Sequence, residues 1–341
     1  EGWQGFPDPE SLLVDSLSIN YRSHGGIVRL SNTCVKLLVE LFPTSIDRLP
    51  PNDGRYPGAP PVVCSLKDLK DDFLRRKAAG QATDLHPQHA ILVRSKASKD
   101  NLSDFLTSGV TLTIEESKGL EFDAVILVDF FVESSYPDWA KAYVAARKIF
   151  DLSCPQRGKH DSSLGWDGAK HQSLCTELKQ LYVAVTRARK YLLIVESVPS
   201  KFGQLWKEIG VADASGEITD YLNFLMAQAT QQEWALLGVK FFRRQQHGQA
   251  ADAFFKAGEQ VAHSLCAAFM LAKEAAETRD QVQQRTIYAR ALAKFEEVDG
   301  VRHRLPTSLQ ATPLPIAVLL DNMGRHEAAA EVFLKQGDVA Q

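Results

Sequence analysis

The 341-residue sequence is poor in the features that mark several large classes of protein. It has five cysteines, an odd number with no Cys-x-x-Cys pair, which argues against a disulfide framework and fits a reducing setting. It has no apolar run of membrane-spanning length and no secretory leader pattern, so the expectation is an intracellular protein without a membrane partner, nuclear or cytoplasmic being left open. It has no excess of charge: the formal net charge of -3 and a pI of about 6.3 exclude the global basic field of a nucleic-acid-coating protein. It also has no G-x-x-x-x-G-K-[ST] segment, and so lacks the usual backbone cradle for a triphosphate and its magnesium. Cys154, His160, His171 and Cys175 contain zinc-ligand types, but their spacing matches no common finger, and no metal is assigned. The first residue is Glu1, and the expectation is a piece of a longer protein.

Within those limits the length allows about two domains. The most informative stretch is TLTIEESKGLEFDAVILVDF (111–130), in which a polar turn containing Gly119 runs directly into an apolar strand, Ala124 to Val128. Such a run predicts a strand covered on both faces, hence a parallel sheet with flanking helices. Its preceding turn carries Lys118 as a cationic donor and Glu121 as a carboxylate acceptor, with Gly119 free to take positive φ. A solvated turn before a core strand is the plainer reading of those residues. Asp129, ending the strand, resembles a magnesium-holding acid, although the preceding turn does not suit that role.

Two further stretches have a comparable design. LSINYRSHGGIVRLSN (17–32) sets Tyr21 and Arg22 at the mouth of a helix whose apolar side is Ile27, Leu30, Val35, Leu38 and Leu41. ELKQLYVAVTRARKYLLIVES (177–197) sets Arg187 where a helix gives way to an apolar strand. Val62–Cys64 and 89–95 read as further strands, 68–81 as a charged helix, and 44–61 as an exposed Pro/Gly-rich connector. Alternating strands and helices favour a doubly wound sheet. The stretch 131–173 is longer than a crossover needs, with a helix-like part from Tyr136 to Phe150 followed by a Gly/Ser/His-rich loop; an exposed insertion and a nucleic-acid-contacting loop both fit it. After Ser197 the spacing is helical throughout. His247, Ala250, Ala251, Phe254, Lys256 and Gly258 recur in kind and order as His326, Ala329, Ala330, Phe333, Lys335 and Gly337. That weak repeat suits stacked helical hairpins or a plain bundle.

Taken together and in order, the three stretches resemble motifs IV, V and VI of superfamily 1 helicases of the UvrD/Rep kind, and more specifically the helicase-like region of large eukaryotic proteins with tetratricopeptide and ankyrin repeats. The resemblance implies a RecA-like α/β domain of the P-loop-NTPase type, followed by an all-α region, tetratricopeptide-like or a bundle. It places a lead-in from an upstream motor domain at 1–16, the second RecA-like domain at 17–200 with an insertion at 131–173, and the helical repeat region at 201–341. It implies ATP and Mg2+ as cofactors of the intact protein, with single-stranded nucleic acid, DNA by family, and the upstream motor domain as partners. The helical region would offer a surface to a protein partner.

By the same resemblance, Arg187 and Arg22 reach the γ-phosphate as catalytic groups, because a guanidinium is permanently charged and forks onto phosphate oxygens. Tyr21 stacks on adenine, Glu121 bonds the ribose, Gly119 and Lys118 lie against nucleotide or the domain interface, and Thr113 and Ser117 bond the single strand. Glu115 departs from the family pattern, which often has His there. Arg189 and Lys190 read instead as a solvated helix terminus. The accessory domain common between motifs IV and V has no room between Ser23 and Thr113. Without the P-loop, this stretch alone is not expected to turn over ATP. The alternative is an inactive helicase-like scaffold that works through its helical repeats.

Overall fold

Seven consecutive buried residues, Phe122–Val128, form β6 and lie at the centre of a five-stranded parallel sheet. The computed structural model describes residues 18–80, 86–102, 106, 109–152, 167–213, 221, 224 and 229–337. It divides into two compact units, 1–227 and 228–341.

In the first unit, β1 (Ile19–Asn20) leads to α1 (Gly25–Leu41), then β2 (Asp53–Gly54), β3 (Val62–Ser65), α2 (Leu66–Ala78), β4 (His89–Val93), α3 (Lys96–Asp100), β5 (Val110–Thr113) and β6. They are followed by α4 (Trp139–Ile149), α5 (Gln172–Val185), β7 (Ala188–Glu196) and α6 (Lys201–Glu208). The sheet order is β3-β7-β6-β4-β5, all parallel, so each connection crosses over and covers a face. This is why β4 is buried at all five positions and β6 at all seven, with apolar side chains facing both ways. Ser65 and Ser200 cap α2 and α6 by accepting from the N–H groups of Asp68 and Gly203.

Several expectations change in detail. The strand before motif IV is Ile19–Asn20, with Leu17 outside the described residues, and it pairs with β2 rather than joining the main sheet. The 44–61 connector is therefore not wholly irregular. It is pressed against the start of α1: a Cβ at Gly26 would lie 2.0 Å from the Ala59 carbonyl oxygen, and one at Gly58 would lie 2.3 Å from Cβ of His24. The buried side of α1 runs through Cys34 and Leu37 and leaves Val35 half-buried. The helix expected over 136–150 is α4; Cys154, His160 and most of the polar loop lie outside the described residues.

The compact units also divide later than residue 200. Helix α6 packs with the α/β unit because Phe202 stacks on Phe131 at 5.4 Å, meets Trp139 edge-on at 5.0 Å, and Trp206 lies 5.4 Å from Phe131. Tyr221 joins the apolar cluster of β3, β4, β6 and β7 and bonds the Pro60 carbonyl at 3.0 Å. Helical spacing alone reports a helix, not the partner that covers its apolar side.

The second unit contains α7 (Gln231–Phe242), α8 (His247–Ala257), α9 (Gln260–Glu277), α10 (Gln281–Gly300), α11 (Thr307–Gln310), α12 (Ile316–Asn322) and α13 (His326–Gly337). Gly238 of α7 is closely approached by the Phe254 ring of α8, where a Cβ would lie 2.6 Å from ring carbons. Trp234, Leu237, Phe241 and Ala250 are also buried, so α7 and α8 pack as a helical hairpin. The repeat places Ala317 and Phe333 at the corresponding positions of α12 and α13, but Phe254 is fully buried whereas Phe333 is 53% exposed.

Candidate functional site

The starts of β6 and β7 bring the three motif segments onto one edge of the sheet. Phe122 and Ala188 are cross-strand partners, and the Phe122 N–H donates to the Arg187 carbonyl at 2.9 Å. The first segment joins there although its residues are 165 positions away: the Ser23 hydroxyl donates to the Ala188 carbonyl at 2.7 Å, and the His24 N–H to the Arg189 carbonyl at 2.9 Å. Ser23 is buried, so its bond is shielded from competing water. Just before it, the Asn20 side-chain oxygen accepts from the N–H groups of Arg22 and Ser23, both at 2.9 Å. This local turn leaves Tyr21 64% exposed at the edge.

Arg22 Nε lies 2.9 Å from Glu121 Oε2. Arg187 is held differently: its Nε donates to the Val183 carbonyl at 3.0 Å, Nη1 to the Leu120 carbonyl at 3.0 Å, and Nη2 to the Thr186 hydroxyl oxygen at 3.3 Å. The half-buried Arg187 thus braces the turn before β6 through the Leu120 carbonyl, next in sequence to Glu121. Gly119 has φ +72°, the conformation that its lack of a Cβ permits. Lys118 Nζ lies 2.7 Å from Glu115, so the carboxylate that departs from the family pattern is paired within the turn.

The two expected strand-contacting hydroxyls are separated. Ser117 is fully buried and its hydroxyl donates to the Ile114 carbonyl at 2.7 Å; it does not reach the surface, and a direct contact with a nucleic-acid phosphate is corrected on that ground. The turn's tightness explains the burial, since Ser117 N–H also bonds the Thr113 carbonyl at 3.1 Å. Thr113 ends β5 and therefore lies at the opposite, strand-exit edge. Its hydroxyl oxygen accepts from the Glu116 N–H at 3.1 Å while its own N–H donates to Glu116 Oε2 at 2.8 Å, and Lys99 lies 3.3 Å from the same carboxylate.

Residues given no role in the sequence reading complete the strand-start edge. Arg189 and Lys190 do not end a helix: they lie on β7, where Arg189 Nη1 is 3.6 Å from Asp123 Oδ1 and 3.9 Å from Glu121 Oε1, and Lys190 Nζ is 2.7 Å from Asp123 Oδ2. Alternation along a regular strand did not signal them, because the register shifts between Phe122 and Ala124, and the consecutive Arg189 and Lys190 both meet Asp123. Arg55 was also missed; its N–H bonds the Asn20 carbonyl at 2.8 Å and its guanidinium lies 6.0 Å from the Tyr21 ring centre.

No group of His, Cys, Asp and Glu arranged to hold a metal occurs among the described residues, where His171 instead bonds the Tyr136 hydroxyl at 2.8 Å. Cys34, Cys64, Cys175 and Cys266 are buried free thiols, and burial pushes Cys34, Cys64 and Cys266 up to about 12, well away from thiolate chemistry. No helix among the described residues is long and apolar enough to cross a membrane.

Residues 91–198 match the UvrD-like helicase C-terminal domain. The chain is 31% identical over 268 residues to TPR and ankyrin repeat-containing protein 1 of Homo sapiens, covering 72% of this chain and 9% of that protein. It is 31% identical over 96 residues to a probable DNA helicase of Mycoplasma pneumoniae, covering 28% of this chain and 13% of the relative. With one component of the ATP-dependent helicase/nuclease of Enterococcus faecalis it shares 29% identity over 143 residues, covering 39% and 11%. The chain thus spans about a tenth of the length of these curated relatives. A solved C-terminal domain of a possible DNA helicase from Lactobacillus plantarum matches 57% of this chain and 98% of its own, at 17% identity and a TM-score of 0.29; the fold is defined here by its own strand order.

Proposed function

We propose, from the match of residues 91–198 to the UvrD-like helicase C-terminal domain, that the chain is the second motor domain, with a following helical region, of an ATP-dependent single-strand DNA translocase. One observation carries the reading: Tyr21, Arg22, Glu121 and Arg187 come from three separated segments and gather at one sheet edge. A nucleotide between this edge and an upstream P-loop domain meets a ring for its base, a carboxylate for its ribose and two guanidinium groups for its phosphates. Magnesium belongs with the upstream domain, since no P-loop occurs in this chain. When bound, the cofactor supplies the phosphoryl bond whose loss alters the electrostatic hold between domains.

Arg22 and Arg187 are the catalytic residues in this reading. Thr113, at the opposite edge, is the strand contact, since accepting one bond from Glu116 leaves its hydroxyl hydrogen to be donated to a phosphate oxygen. Lys118 and Gly119 shape the turn beside the nucleotide, with Lys118 paired to Glu115 and Gly119 at positive φ. The domain division proposed is a motor domain to about residue 200 plus the α6 stretch that packs on it, then the helical region.

The test is single-strand-stimulated ATP turnover by the intact parent protein. Arg187→Ala should lower turnover roughly 10³-fold while leaving strand binding intact, as expected when a trans-acting arginine is removed. Unchanged turnover in that variant removes Arg187 from the catalytic role. A second reading, an inactive scaffold, is favoured by exposed Leu236, Phe255 and Phe333 on the helical hairpins. A folded parent protein that binds ATP analogues poorly and does not hydrolyse ATP would select it.

A further inference from the structure

Glu121 is within reach of two cations that differ in how firmly they are held. Arg22, at 2.9 Å, is exposed on a short turn. Arg189, at 3.9 Å, lies at the start of β7, opposite the register shift between Phe122 and Ala124 of β6, and its carbonyl accepts from the His24 N–H. If Arg22 moves to a phosphate, Glu121 becomes a carboxylate without its near partner, and the attraction pulling Arg22 back competes with the nucleotide. Arg189 needs only a small side-chain movement to cover that charge. It is able to release Asp123 because Lys190 already lies 2.7 Å from that buried carboxylate.

We infer that Arg189 is a positioning residue: it takes over Glu121 when nucleotide draws Arg22 away, so that the Arg22–Glu121 pair marks the nucleotide-free state and the Arg189–Glu121 pair the nucleotide-bound one. The inference rests on the proposed function, and it adds an exchange of partners at Glu121 to the contacts described there. Removing Arg189 leaves nucleotide to compete against an undivided Arg22–Glu121 pair.

The experiment measures steady-state ATP turnover by the intact parent protein with a single-stranded DNA activator. Arg189→Gln should raise KM for ATP about two- to fivefold, the size that an exposed ion pair allows, with kcat within about twofold. Arg189→Lys should restore most of the change, and in a Glu121→Gln background Arg189→Gln should add nothing. Lys190 keeps Asp123 paired in each variant, and unchanged cooperative unfolding checks that the fold is retained. An unmoved KM overturns the inference alone, as does an equal rise with and without the Glu121 carboxylate, which would make the role structural through Asp123. Absence of ATP turnover by the wild-type protein overturns the proposed function and this inference together.

Discussion

The two edges of the sheet each hold an arginine–carboxylate pair, and the pairs are built for opposite purposes. At the strand-exit edge, Arg94 grips Glu177 through both guanidinium nitrogens at 2.6 Å, with side chains only 10% and 4% exposed. Arg94 also lies 4.6 Å from the centre of the Phe130 ring and donates to the Phe130 carbonyl, while Ser135 donates to Glu177 at 3.0 Å. At the strand-start edge, Arg22 touches Glu121 through one nitrogen, with side chains 52% and 39% exposed and a second cation nearby. Burial makes the first pair costly to break; water makes the second exchangeable. A permanent brace and a replaceable contact thus use the same two side-chain types.

Breaking the brace should have the largest effect. Glu177→Ala leaves Arg94 buried without its carboxylate and should cost about 3–5 kcal/mol in urea unfolding. Next comes Gly26→Ala, whose new Cβ meets the Ala59 carbonyl; overpacking of this kind costs about 1–3 kcal/mol, and the loss should appear as faster amide exchange at the start of α1. Glu121→Ala should cost at most about 1 kcal/mol, because solvent screens the exposed pair. Equal losses for Glu121→Ala and Glu177→Ala would erase the contrast between the edges.

The smallest effect concerns Glu196, buried at the exit of β7 and accepting from the Ser200 N–H at 2.9 Å. Desolvation raises its carboxyl above the usual range, outweighing the Ser200 hydrogen bonds and the attraction of Lys207 that lower it. The folded state therefore holds this proton more tightly than the unfolded chain. Its contribution to stability is full below the unfolded carboxyl value and is lost as pH rises through the folded one. Glu196→Gln should accordingly gain in melting temperature relative to wild type as pH rises above the ordinary carboxyl value of about 4. A difference independent of pH would show that Glu196 is accommodated equally well in both charge states.

The local part of the architecture was legible in the residues. The apolar run from Ala124 to Val128 and the stretch 89–95 predicted buried strands, and they lie in β6 and β4, with the strand bounds at 122–128 and 89–93. The second and third motif stretches fall within residues 91–198, which match the UvrD-like helicase C-terminal domain. The repeat from His247 to Gly258 falls on α8, but the close approach of Phe254 to Gly238 of α7 lies outside that repeat.

Side-chain partnership across the fold was not legible. Ser117 and Thr113 look alike in sequence, yet one is sealed inside a turn and the other ends a strand at the far edge. Arg189 and Lys190 read as the end of a helix until β7 began two residues earlier than Lys190 and aligned them with Asp123. By itself, then, the sequence determined which segments become strands and helices and which chemical groups each carries, because periodicity and side-chain type act over a few residues. Only the tertiary structure decided which arginine meets which carboxylate, because strand pairing and burial join residues that are distant in the sequence, such as Arg22 with Glu121 and Arg94 with Glu177.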